Sequence, residues 1–119
     1  MKKTLCFTLI VAFAACVQAG DWPHFRGPNH NGSADEKNLP TQWSKTENIA
    51  WATDMPGPAA ATPIISGEHI FISTTIASEK SVAAMCLDRK TGKILWTHEV
   101  AKGINQDARS NFAAPSPTT

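Results

Sequence analysis

From Ala61 the chain alternates short apolar runs with polar breaks. Ala61-Thr62-Pro63-Ile64-Ile65 precedes Ser66-Gly67-Glu68, and His69-Ile70-Phe71-Ile72-Ser73-Thr74-Thr75 precedes Ala77-Ser78-Glu79-Lys80. Ser81-Val82-Ala83-Ala84-Met85-Cys86-Leu87 then leads through Asp88-Arg89-Lys90-Thr91-Gly92 into Lys93-Ile94-Leu95-Trp96-Thr97-His98-Glu99-Val100. Runs of β-branched, aromatic and small apolar residues bounded by Gly, Asp and Ser read as strands. Four consecutive strands joined by short turns form, most simply, an antiparallel meander. The first begins at Pro63, which suits an edge or a first position because proline has no N–H for a ladder bond.

The connection between the last two strands carries the clearest local chemistry. Asp88 accepts hydrogen bonds from the amides that follow it, and Thr91 does so more weakly. Gly92 supplies the positive φ that a short connection between twisted strands needs. Beyond it, strand alternation predicts that Ile94 and Trp96 share one face. Trp96 offers a large apolar ring with one N–H that needs an acceptor, a side chain suited to docking one sheet on another. As a carboxylate in a turn, Asp88 reads as structural.

Elsewhere the pattern is irregular. Gly20-Asp21-Trp22-Pro23-His24-Phe25-Arg26-Gly27-Pro28-Asn29-His30-Asn31-Gly32 cannot be a regular helix or a central strand, yet Trp22 and Phe25 are able to pin it to a surface as an ordered arm. Pro40 interrupts Leu39 to Ser44, and Asn48 to Thr53 predicts a short strand with Ile49 and Trp51 on one side. His24 and His30 have no third ligand at a recognisable spacing, so no metal site is assigned.

Two segments recur. Ile49-Ala50-Trp51 resembles Ile94-Leu95-Trp96, and Gly57-Pro58-Ala59-Ala60-Ala61-Thr62-Pro63-Ile64 resembles Asn111-Phe112-Ala113-Ala114-Pro115-Ser116-Pro117-Thr118. The chain therefore reads as the end of one unit, one whole unit over about 59–100, and the start of a third. A repeated four-stranded meander is the signature of a β-propeller blade. The competing reading is a small stand-alone sheet, which would have little core and two open edges. The fold class expected is all-β, with antiparallel four-stranded blades of a truncated propeller after an N-terminal signal helix. The expected organisation is a signal segment over 1–19, an irregular arm over 20–48 and a partial propeller over 49–119, the whole being an N-terminal fragment.

The signal segment rests on Lys2 and Lys3 before the apolar run Leu5 to Ala15, followed by Val17-Gln18-Ala19 with small residues where a signal peptidase reads. The run is shorter than the roughly 20 apolar residues of a membrane span. This predicts a secreted or periplasmic protein. The alternative is a lipoprotein anchored at Cys16, because Phe13-Ala14-Ala15-Cys16 faintly resembles a bacterial lipobox. Processing after Ala19 would leave Cys86 as the only cysteine of three, with no intrachain disulfide to form, and its apolar strand makes it a small core residue. It would also remove Lys2 and Lys3, leaving nine basic residues against ten acidic, a net charge near −1 that gives no footing for nucleic acid. No nucleophile–base or metal-ligand constellation stands out.

The segment Cys86 to Trp96 resembles the tryptophan-docking repeat of quinoprotein-like propellers, with Asp88, Thr91, Gly92 and Trp96 matching and Cys86 standing where alanine is usual. The arm Asp21 to Pro28, Leu39 to Ser44 and the Asn48 to Trp51 segment are similar to the start of secreted PQQ-binding-like repeat proteins related to the outer-membrane assembly factor BamB. The resemblance implies a large propeller in which Trp96 docks between adjacent blades and Ile49 to Thr53 acts as a closing strap. For function it implies a non-catalytic extracytoplasmic scaffold or binding module that meets other proteins through the propeller surface, with a membrane involved only if Cys16 is lipidated. Its alternative is the N-terminal part of a PQQ-dependent alcohol or sugar dehydrogenase, the one case in which PQQ would be the cofactor. Fold alone does not choose between them, and no residue in the chain can be assigned to quinone or calcium binding.

Overall fold

The computed structural model describes residues 20–103 and 115–119. The signal segment and the second half-repeat at Asn111 to Ala114 lie outside them. The described chain is all-β: β1 (Ile64–Ser66), β2 (His69–Ile76), β3 (Ser81–Asp88) and β4 (Ile94–Lys102) form one sheet in the order β1-β2-β3-β4. Every neighbouring pair is antiparallel, so the expected meander is present.

Turn chemistry explains the three hairpins. Gly67, at φ 55, opens the two-residue link from β1 to β2, as a tight turn matched to strand twist requires. Between β2 and β3 the amides of Glu79 and Lys80 bond back to the carbonyls of Ile76 and Ala77, and Lys80 takes a left-handed φ of 50. Between β3 and β4, Asp88 N–H donates to Lys93 O at 2.8 Å and Gly92 N–H to Asp88 O at 2.9 Å.

β3 carries the core. Ala83, Met85, Cys86 and Leu87 on this strand are all at most 4% exposed, joined by Ile64 from β1 and by Thr74 and Thr75 from β2. In cross-strand register, Ile64, Phe71, Cys86 and Trp96 form one row across all four strands. The neighbouring row, Ile65, Ile70, Leu87 and Ile94, belongs to the opposite face.

That register corrects one expectation. Leu87 pairs with Ile94 while the adjacent Cys86 pairs with Trp96, so Leu95 is an extra residue in a β-bulge. Because successive residues of β3 point to opposite faces, Ile94 and Trp96 do too, contrary to simple alternation along β4. A second irregularity places Val100 between the paired residues Glu99 and Ala101.

The predicted strand at Asn48 to Thr53 is not a strand. Residues 51–58 belong to no strand and bend at Pro56 and Gly57, and they alternate half-buried with exposed, Trp51, Thr53, Met55 and Gly57 being the covered positions. The segment has the period of a strand but lies across the sheet as a strap instead of joining its ladder. It is tied at one end to the β3–β4 turn through Thr53 Oγ1, which donates to Gly92 O at 2.7 Å. At the other end Thr74 Oγ1 donates to Gly57 O, and both Thr75 N–H and Thr75 Oγ1 donate to Pro58 O.

The arm over 20–48 has no regular strand or helix, and Trp22 ties it to the sheet while Phe25 is exposed. Trp22 pairs with Ile65 in an isolated antiparallel bridge, exchanging N–H···O bonds of 3.0 and 2.9 Å along the outer edge of β1. Residues 115–119 return to this edge, where Ser116 Oγ accepts from Thr62 N–H and Thr118 Oγ1 lies 3.1 Å from His24 Nδ1.

Candidate functional site

The β3–β4 turn is the most heavily bonded local feature and the place where the matching residues of the sequence motif converge. Asp88 Oδ1 accepts three hydrogen bonds, from Lys90 N–H at 3.1 Å, Thr91 N–H at 2.8 Å and Thr91 Oγ1 at 2.7 Å. Thr91 Oγ1 in turn accepts from Lys93 N–H at 3.3 Å. The Thr91 hydroxyl, followed by the Thr91 amide, holds the Asp88 carboxyl below the usual carboxylate range. The carboxylate is thus committed to its own turn.

A tryptophan does dock on this turn, and it is Trp51. Its indole Nε1–H donates to Arg89 O at 3.0 Å. Its six-membered ring lies so close to Gly92 that a Cβ there would collide with Trp51 Cε3. Gly92 is buried and has φ 70. Absence of a side chain is therefore required twice, by the backbone and by the ring above it.

Arg89 binds the arm to the sheet. Its backbone N–H donates to Glu68 O at 2.9 Å, while Nη1 donates to Gly67 O at 3.0 Å and Nη2 to Gly20 O at 3.0 Å. Nη1 also pairs with Asp21 Oδ1 at 3.2 Å, and both Asp21 carboxylate oxygens accept from Gly67 N–H at 3.1 Å. Lys90 pairs with Glu68 at 3.1 Å on the outer surface. Nothing in the sequence singled out Arg89 or Asp21, since a cation in a polar turn looks like any solvated one. The signal for Trp51 was present in its likeness to Trp96.

Trp96 stands on β4, every residue of which is exposed, and is itself 39% exposed. It closes an aromatic series with Phe71 at 6.0 Å and His98 at 5.2 Å, and His69 lies 6.1 Å from Phe71. Ile94, Leu95 and Val100 are exposed on the same strand. Cys86 is a free thiol, 1% exposed, and burial pushes its pKa up. Such a thiol is a core side chain and a poor nucleophile.

His24 and His30 stack at 4.7 Å, and among the described residues no group of three or more His, Cys, Asp or Glu is placed to hold a metal ion. Two hollows of about 410 and 430 Å³ lie beside the arm around Gly20, Ala34 and Glu36, and the first is also bordered by Arg89 of the Asp88 turn. Among the described residues no helix is long and apolar enough to cross a membrane. The site therefore offers packing and hydrogen-bonding surfaces built on a turn. No family model, curated protein or solved structure matches the chain.

Proposed function

We propose that the chain is a docking unit of an extracytoplasmic β-propeller that serves as a non-catalytic scaffold or binding module, exported by the signal segment at 1–19. The observation that carries this reading is the seat of Trp51 on the Asp88–Gly92 turn. Trp51 and Trp96 occupy equivalent places in the sequence repeat, so the contact made by Trp51 is the contact expected of Trp96 toward the corresponding turn of a following unit. Trp96 and the open edge of β4 supply the surface for it. Asp88, Thr91, Gly92 and Trp96 then act as architecture: three residues shape a turn that receives one tryptophan, and the fourth is the tryptophan handed on.

The test compares Trp96→Ala in two contexts. In the isolated chain, where the side chain is already partly in water, the melting free energy changes by less than about 1 kcal/mol. In the product of the complete reading frame, the same change lowers stability by roughly 3 to 5 kcal/mol, the usual cost of emptying a core aromatic site. An unchanged melting midpoint in the longer protein rejects the docking role. Adjacent cysteines with calcium-binding and catalytic carboxylates downstream would replace the scaffold reading with a quinoprotein dehydrogenase.

A further inference from the structure

We propose that the bond between Ala19 and Gly20 is hydrolysed on export and that the α-ammonium formed on Gly20 is held as an ion pair by Glu36. The proposal rests on the reading of residues 1–19 as a signal segment, and adds to it a receiving site in the folded protein. The bond follows Val17-Gln18-Ala19, whose small first and third residues fit a membrane-bound signal peptidase. Water adds across the amide: the leaving segment keeps the new carboxylate on Ala19, and the Gly20 nitrogen takes a hydrogen and is protonated at neutral pH.

Four contacts place Gly20. Its N–H donates to Glu36 Oε1 and its carbonyl accepts from Arg89 Nη2 at 3.0 Å. Asp21 pairs with Arg89, and Trp22 bridges to Ile65. The residue after the proposed cut is thus held from both sides. A Cβ on Gly20 would lie 3.0 Å from Glu36 Oε1, so the glycine lets the carboxylate approach the nitrogen closely.

The charge arrangement completes the case. The ionisable groups facing this position are Asp21, Asp35, Glu36 and Arg89. Arg89 is engaged with Asp21, and among the described residues no lysine or arginine pairs with Glu36. A half-buried carboxylate aimed at one neutral amide is short of a cation, and an ammonium at the same atom supplies it with a charge-assisted bond. The hollow of about 410 Å³ that also borders Leu39 and Ile65 leaves room for the extra protons and their hydration.

The experiment expresses the full chain in an exporting bacterial host and reads the product by intact mass. Reductive methylation near neutral pH follows, with the lysines as internal reference. The expected product begins at Gly20. A neighbouring carboxylate favours the protonated amine and slows labelling, so Glu36→Gln raises the labelling rate at Gly20 roughly threefold, while Asp35→Asn leaves it unchanged. If Glu36→Gln does not fold, titrating the wild-type amine folded and in urea decides the matter, and a higher apparent pKa in the folded state is expected. A product beginning at lipidated Cys16 overturns the proposal. So do equal labelling rates with a Gly20 start, which leave the secretion reading intact, whereas an unprocessed Met1 start removes both.

Discussion

Gly92 meets two demands that no other residue satisfies together, a φ of 70 and a tryptophan ring in the space of its missing side chain. Gly92→Ala should therefore destabilise by more than the roughly 1 to 2 kcal/mol of a left-handed backbone alone, since Trp51 must also move. Trp51→Ala removes the same contact from the other side and should cost about 2 to 4 kcal/mol. The two losses should be far from additive, because they break one interface, and a chemical-denaturation cycle on the four variants measures the coupling. Additive losses would show that ring and glycine act separately.

Asp88 makes a prediction in pH. Its folded pKa lies below the usual value of about 3.9, chiefly through the Thr91 hydroxyl. The contribution is fully present above the unfolded pKa and is lost as pH falls through the lowered folded value. Melting midpoints should therefore drop below about pH 4, and Asp88→Asn should flatten that part of the profile. A wild-type profile no steeper than that of Asp88→Asn would mean that the turn does not depend on the ionised carboxylate.

At the scale of elements, the sheet is graded from a buried strand to an exposed one. β3 is covered along most of its length, and β4 is exposed throughout although the two share a long ladder. The bulge at Leu95 breaks the alternation that would have put Ile94 beside Trp96, a second irregularity lies at Val100, and each increases the local twist of an open edge. The strap over 51–58 ties the β3–β4 turn to the far end of β2 through side-chain and backbone bonds to strap and turn carbonyls. Cys86 reports on whether these elements stay together. Its thiol should react with a soluble thiol reagent roughly a hundredfold or more slowly in the native protein than in denaturant. Fast native labelling would show that β4 detaches readily from β3.

At the scale of the molecule, contacts distant in sequence gather at the β3–β4 turn and along the outer edge of β1. Arg89 joins Gly20, Asp21 and Gly67, Trp51 joins the same turn from the strap, and residues 116–119 come back to the arm and β1. The turn and the β1 edge are tied down while the β4 edge carries Trp96 and Val100 into solvent. The asymmetry supports a unit with one satisfied docking side and one open one. The contrast between Trp96→Ala in this chain alone and in a chain carrying the proposed following unit is the measurement that belongs to this scale.

Residue order along the chain was enough to locate the four strands to within a few residues, their meander, and the bonding of the Asp88 turn, because strand period and turn conformation are set by neighbours. It also marked Trp96 and Trp51 as alike. It did not reveal the bulge at Leu95, which depends on how β4 matches the twist of β3, or the conversion of the expected strand at Asn48 to Thr53 into a strap, which depends on that segment crossing the sheet. The partners of Trp51 and Arg89 were equally hidden: Arg89 O is 38 positions from Trp51, and Asp21 is 68 from Arg89. Sequence alone determined the local elements of this protein. Tertiary structure decided which tryptophan docks and which faces water, because contacts over those separations exist only once the sheet has brought the segments together.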